Sequence, residues 1–114
     1  GEDVSEYYAD VHQRGSVLTL QSLPNQGGSY MFVKLRLDDE LATGTWEETT
    51  SPSGEFAGAT YSGAVQLLVS KDGDHMNGMW VGVGQEKGKH QIFTGTWTLR
   101  RAGTKELAAM DVAE

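Results

Sequence analysis

The tripeptide Gly44-Thr45-Trp46 returns as Gly78-Met79-Trp80 and as Gly95-Thr96-Trp97, and these three places hold every tryptophan of the chain. Each copy lies in a run that alternates in period two, so its glycine and its tryptophan fall on one face of a strand. Glycine permits a strand to bend sharply and leaves room beside it for a large ring. An indole two positions from a missing side chain therefore suits a strand that curves around a filled interior. Three such strands predict a small antiparallel barrel with its tryptophans directed inward.

The remaining sequence supplies further strands at hairpin spacing. Alternating or apolar runs cover residues 6–13, 16–23, 29–38, 41–50, 59–70, 75–85 and 90–101. Turn residues separate them: Arg14-Gly15, Pro24 with Gly27-Gly28, Asp38-Asp39-Glu40, Pro52 with Gly54, Lys71-Asp72-Gly73-Asp74, and Glu86-Lys87-Gly88-Lys89. Consecutive hairpins of this kind predict an all-β chain folded as an up-and-down β-barrel of seven to eight strands. Eight strands close such a barrel around a packed core or one small ligand. The eighth is either missed by this pattern, made by a division of residues 59–70 at Gly63, or absent because the stretch begins after an earlier strand, and absence leaves an open edge free to pair with a second molecule.

At 114 residues the chain makes one domain. The barrel is expected over residues 1–103. Thr104 as a cap, with Leu107 and Met110 at helical spacing, predicts a short helix or a disordered tail over residues 104–114.

Charge and composition exclude several functions. A net charge of −7 argues against general binding to a nucleic-acid backbone, so no direct nucleic-acid partner is expected. With no cysteine, disulfides, thiolate metal sites and a cysteine nucleophile are ruled out. No apolar run reaches the length of a membrane span and no basic-plus-apolar leader opens the sequence, so the expected location is cytoplasmic, with no membrane partner for this stretch.

The residues that could carry chemistry are few. Trp46, Trp80 and Trp97, with Tyr61 and Phe93, either wall a pocket that stacks on a flat or apolar ligand or simply fill the barrel. Glu48 shares the Trp46 face and either anchors a cationic or hydroxyl-bearing ligand or ends its strand in water. Phe56 is an apolar residue in the 51–58 connection that a plain linker does not need, and it marks that loop as the entrance. His12, His75 and His90 lie far apart, and His75 near Asp72 and Asp74 makes only a weak metal-like cluster. Glu47 and Glu48 point to opposite faces and make a poor acid–base dyad. No serine sits in a nucleophile elbow, and the glycine pairs have no following helix to hold a dinucleotide. No enzymatic activity, metal or cofactor is expected.

Several motifs resemble a known family in both order and spacing. They are Leu20-Gln21-Ser22-Leu23-Pro24, the run from Ala42 to Phe56 with its Gly-Thr-Trp, Gly58-Ala59-Thr60-Tyr61-Ser62-Gly63, Met76-Asn77-Gly78-Met79-Trp80 and Thr94-Gly95-Thr96-Trp97. Over residues 7–101 the chain resembles the C-terminal domain of certain actinobacterial helix-turn-helix transcriptional regulators. That domain is similar to a lipocalin-like (calycin) barrel and forms the sensing half of those proteins. Avidin-like barrels, and the barrel sensors of cyclic-oligonucleotide antiphage immunity, are similar only in their glycine–tryptophan strands. The resemblance implies a non-catalytic bacterial sensing domain for a small-molecule ligand, apolar, aromatic or nucleotide-like in character. The competing expectation is a packed interaction module without ligand, which binds a partner protein or a second copy of itself, as a homodimer, through an open edge or through Tyr30 and Phe32. A cyclic-oligonucleotide sensor is a third.

Overall fold

The computed structural model describes residues 4–22, 30–49, 60–86, 89–101 and 107–113. They form eight strands: β1 (Val4–Arg14), β2 (Val17–Ser22), β3 (Tyr30–Asp38), β4 (Leu41–Thr49), β5 (Thr60–Val69), β6 (His75–Glu86), β7 (Lys89–Arg101) and β8 (Leu107–Ala113). Every neighbouring pair is antiparallel, and β8 pairs with both β7 and β1, so the sheet closes on itself as an up-and-down barrel.

The expected helix or tail over residues 104–114 is therefore corrected for residues 107–113, and the rest of that stretch lies outside the described residues. Residues 107–113 are a strand, and they supply the eighth stave that seven strands needed. The ladder explains the override. A segment bonded on both sides, Ala9 to Ala108 and Leu99 to Met110 among its partners, gains more from pairing than a weak helical spacing offers alone. No earlier strand is needed, β5 runs unbroken through Gly63, and the open edge is gone.

Period-two burial shows the inside of the barrel directly. On β3, Met31, Val33 and Leu35 are buried while Tyr30, Phe32, Lys34 and Arg36 are exposed. The core joins these to Ala9, Leu18, Leu20, Ala42, Val65, Leu67, Leu99 and the three tryptophans. Ser22 is the buried polar residue among them, and its hydroxyl accepts a hydrogen bond from the Met31 N–H at 2.6 Å.

Register gives the glycine–tryptophan repeat its physical meaning. In the β6–β7 hairpin, Gly78 faces Trp97 and Trp80 faces Gly95, so the two motifs complete one another reciprocally. Trp46 of β4 faces Gly63 of β5 in the same way. Each indole thus lies beside a position without a side chain. The glycines also let the strands approach more closely than any other residue allows. A Cβ on Gly44, Gly63 or Gly78 would collide with the backbone carbonyl of Lys34, Val81 or Gln66 respectively. Those carbonyls occupy the space that a side chain would take, and tight coiling of the sheet follows.

Candidate functional site

The inward tryptophans fill the middle of the barrel. Trp46, Trp80 and Trp97 retain 6%, 7% and 1% of their exposure. Trp46 meets Trp80 edge-on, with ring centroids 5.5 Å apart and planes at 82°, and meets Trp97 at 6.1 Å. Such edge-to-face pairs suit the aromatic quadrupole. The Trp46 indole N–H is shared between the carbonyls of Ala64 and Val81, each 3.2 Å away. Val81 is the residue whose carbonyl closes over Gly63, so the glycine displaces a carbonyl and the tryptophan supplies its donor. The buried Nε1 atoms of Trp80 and Trp97 have no hydrogen-bond partner among the described residues. Each leaves a polar donor in an apolar interior, at a cost of about 1–3 kcal/mol.

The other expected site residues lie toward the end of the barrel where β4 gives way to β5. Glu48 is half-buried on a rung between Met31 and Tyr61, and Tyr61 packs partly buried against the core. Phe93 is 38% exposed and lies over Gly84. The structure thus brings the three tryptophans together, keeps Glu48 and Tyr61 adjacent, and leaves Phe93 at the surface. Phe56 and the 51–58 entrance lie outside the described residues. Among the described residues, no three of His, Asp or Glu gather where a metal could sit.

A pocket of about 290 Å³ lies at the opposite end, beside the turn between β5 and β6. Its apolar wall comes from Val11, Leu18, Leu37, Val69, Met76 and Leu99, each an inward position near the end of its strand. Its rim is polar, with Gln13, Asp74, His75, Arg100 and Arg101. Sequence reasoning passed over these wall residues because aliphatic side chains in strands look the same whether they close a core or line a mouth. Their one legible signal is position: Leu37 and Val69 are the last inward residues before the 39–40 and 70–74 turns, and Leu18 and Met76 are the first inward residues after the 15–16 and 70–74 turns.

The turn beside this pocket is held by a compact set of bonds. The Ser70 hydroxyl donates to the Asp72 carboxylate, which also accepts the Asp74 N–H at 3.0 Å, while the Ser70 oxygen accepts the His75 N–H at 3.1 Å. The Ser70 hydrogen bond, followed by the Asp74 N–H, holds the Asp72 carboxyl below its ordinary pKa. Arg101 of the neighbouring β7 ties onto this turn, its Nε 3.1 Å from Asp74 Oδ1 and its backbone N–H on the Asp74 carbonyl. Both side chains of that ion pair are half exposed or more, so the pair positions the rim more than it stabilises the fold.

Comparison of the chain with protein-family models, with curated proteins and with solved structures gave no match.

Proposed function

We propose that this barrel is a non-catalytic binding domain that holds a small molecule in the mouth beside the β5–β6 turn. The observation that carries this reading is the pocket itself: about 290 Å³, walled by six aliphatic or thioether side chains and rimmed by polar groups. Mouths of β-barrels are recurrent ligand sites, and a volume near the lower end of the usual range suits a small ligand with an apolar or aromatic body. The rim suits a polar group at the ligand's outer end, facing Gln13, His75 and the Asp74–Arg101 pair. The tryptophans act as the floor support in this reading, because their packing occupies the middle of the barrel and leaves its end to the ligand. A cytoplasmic sensing role in a bacterial regulatory or defence system is the setting that the regulator resemblance favours.

Native mass spectrometry of the gently purified protein tests the proposal, together with a Met76→Trp variant that fills the mouth. The expected result is a persistent one-to-one extra mass that the variant loses. An apo mass in the wild type, with no thermal stabilisation by a panel of small apolar and aromatic compounds, overturns it.

A further inference from the structure

The outer surface of the barrel is not uniform. On β1, β3 and β4 the outward positions include Asp10, Arg14, Lys34, Arg36 and Glu47. On β5, β6 and β7 they form four complete rungs, from Ser62–Val83–Ile92 down to Leu68–Asn77–Thr98, without one charged residue. Five of these positions are large and open to solvent: Leu68 at 61%, Met79 at 55%, Val81 at 41%, Val83 at 51% and Ile92 at 74%. The others are small or uncharged polar residues. In a chain with 22% charged residues and a net charge of −7, twelve neighbouring outward positions without charge mark this face as different from the rest.

We infer that this three-stranded face is a self-association surface, and that its occupant is a second copy of the chain. Charge is the first reason. Two molecules at −7 repel one another, and they approach at least cost through the face that carries none of that charge. The same face offers nothing to a basic or acidic partner. Shape is the second reason. A two-fold axis running along β6 stacks Val81 and Val83 on their own copies, places Ile92 over Ser62 of the second copy, and places Leu68 over Thr98 of the second copy. Large residues then meet small ones on the two flanks, and the β6 residues meet their own copies, so each contact is repeated by symmetry as a two-fold interface requires.

Area sets the strength. Three strands about 4.8 Å apart and four rungs about 6.7 Å apart give a footprint of roughly 400 Å². Side-chain relief raises this to about 500–600 Å² of accessible surface per copy, which is the lower edge of specific interfaces. The dimer is accordingly weak, with a Kd in the range of about 1–100 µM. A lipid surface fits less well. An outward apolar band would have to continue around the barrel, and the charges on β1, β3 and β4 interrupt it.

Sedimentation equilibrium from about 1 to 300 µM brackets that range. The expected mass rises from 12.4 kDa toward twice that value, and it does so no less readily at high salt, where like-charge repulsion is screened. Val81→Lys sets two like charges on the axis and is expected to weaken the dimer more than tenfold, a loss of about 1.4 kcal/mol or more. Ile92→Lys acts in the same direction, whereas Tyr30→Lys on β3 leaves association unchanged. Tryptophan emission checks that each variant keeps its core. A monomer throughout, a dimer indifferent to Val81→Lys, or a dimer lost only with Tyr30→Lys overturns the inference. So does binding to neutral phosphatidylcholine vesicles in place of self-association.

Discussion

Two glycines on β6 offer a direct test of how the tryptophans are held. A Cβ placed on Gly82 lies 2.5 Å from Trp46 Cζ2 and 2.9 Å from Cη2, and one placed on Gly84 lies 2.6 Å from Phe93 Cε2. The overlaps are nearly equal, and the freedom of the two neighbours is not. Trp46 is 6% exposed, its N–H is fixed on two carbonyls, and its ring is packed on Trp80 and Trp97. It cannot retreat by the roughly 1 Å that a normal carbon contact needs without straining those bonds. Phe93 is 38% exposed and has no such tether among the described residues, so its ring swings outward.

Gly82→Ala therefore carries an overpacking cost of about 1–3 kcal/mol and about 1 kcal/mol from weakened hydrogen bonds, offset by about 0.4–1 kcal/mol from the stiffer unfolded chain. The net expectation is about 2 kcal/mol of destabilisation. For Gly84→Ala the first two costs are small, and the net change stays within about 0.5 kcal/mol of zero. At about 2.1 cal/mol/K per residue of unfolding entropy, the Gly82 variant should melt about 8 °C below the wild type. Urea unfolding followed by tryptophan emission gives both values. Equal costs for the two variants would show that Trp46 is as free as Phe93, and would refute the account of a tethered indole.

Two further predictions concern the donor groups. Trp46→Phe and Trp80→Phe remove the same volume and alter the same Trp46–Trp80 contact; Trp46→Phe also alters the looser Trp46–Trp97 contact, and it alone takes an indole donor from the Ala64 and Val81 carbonyls. Trp46→Phe should cost about 1–3 kcal/mol more in urea unfolding, and equal losses would remove the hydrogen bonds from the explanation. At the β5–β6 turn, the depressed pKa of Asp72 means that its contribution is complete above the ordinary aspartate value of 3.8 and fades as pH falls through the lower, folded value. Protection of the Asp74 and His75 amides, taken as exchange relative to the intrinsic rate at each pH, should fall over that acid range in the wild type. Ser70→Ala, which removes the largest cause of the shift, should flatten the response, and an unchanged profile would count against the Ser70–Asp72 bond.

Much of this fold is legible in the sequence, for one physical reason: a half-buried antiparallel strand writes its burial in period two. The inward sets of β3, β4, β6 and β7 follow directly from alternation. Even the reciprocal pairing could be derived, since a turn centred between residues 87 and 88 places Gly78 opposite Trp97 and Trp80 opposite Gly95. β8 was hidden because its residues are mostly small. Ala108, Met110 and Val112 do alternate, and they share rungs with Ala9, Leu99 and Trp97, but alanine carries too little apolar weight to betray a strand. The pocket was hidden for a different reason. A wall of Leu, Val and Met becomes a mouth only where the chain stops filling it, and that depends on strand stagger, which no local pattern records.

The repeat that organises the chain also decides where binding can occur. A glycine in a coiled strand brings the next backbone inward, and the carbonyl it admits takes up interior space and demands a donor. Trp46 answers that demand with its N–H while its ring covers Gly82, so one residue repairs both consequences of the bend. Three such residues in eight strands fill the midsection, because an eight-stranded barrel has an interior only about one side chain deep. Here the glycine–tryptophan pairs that curve the sheet also fill its midsection. Among the described residues, space is left at the end of the barrel where the inward residues are Val, Leu and Met, beside the latched β5–β6 turn and the Asp74–Arg101 bridge. In the binding role proposed above, the tryptophans that first suggest a binding face in the sequence would act indirectly: they pack the middle, and a ligand at the mouth would rest beside that packed layer.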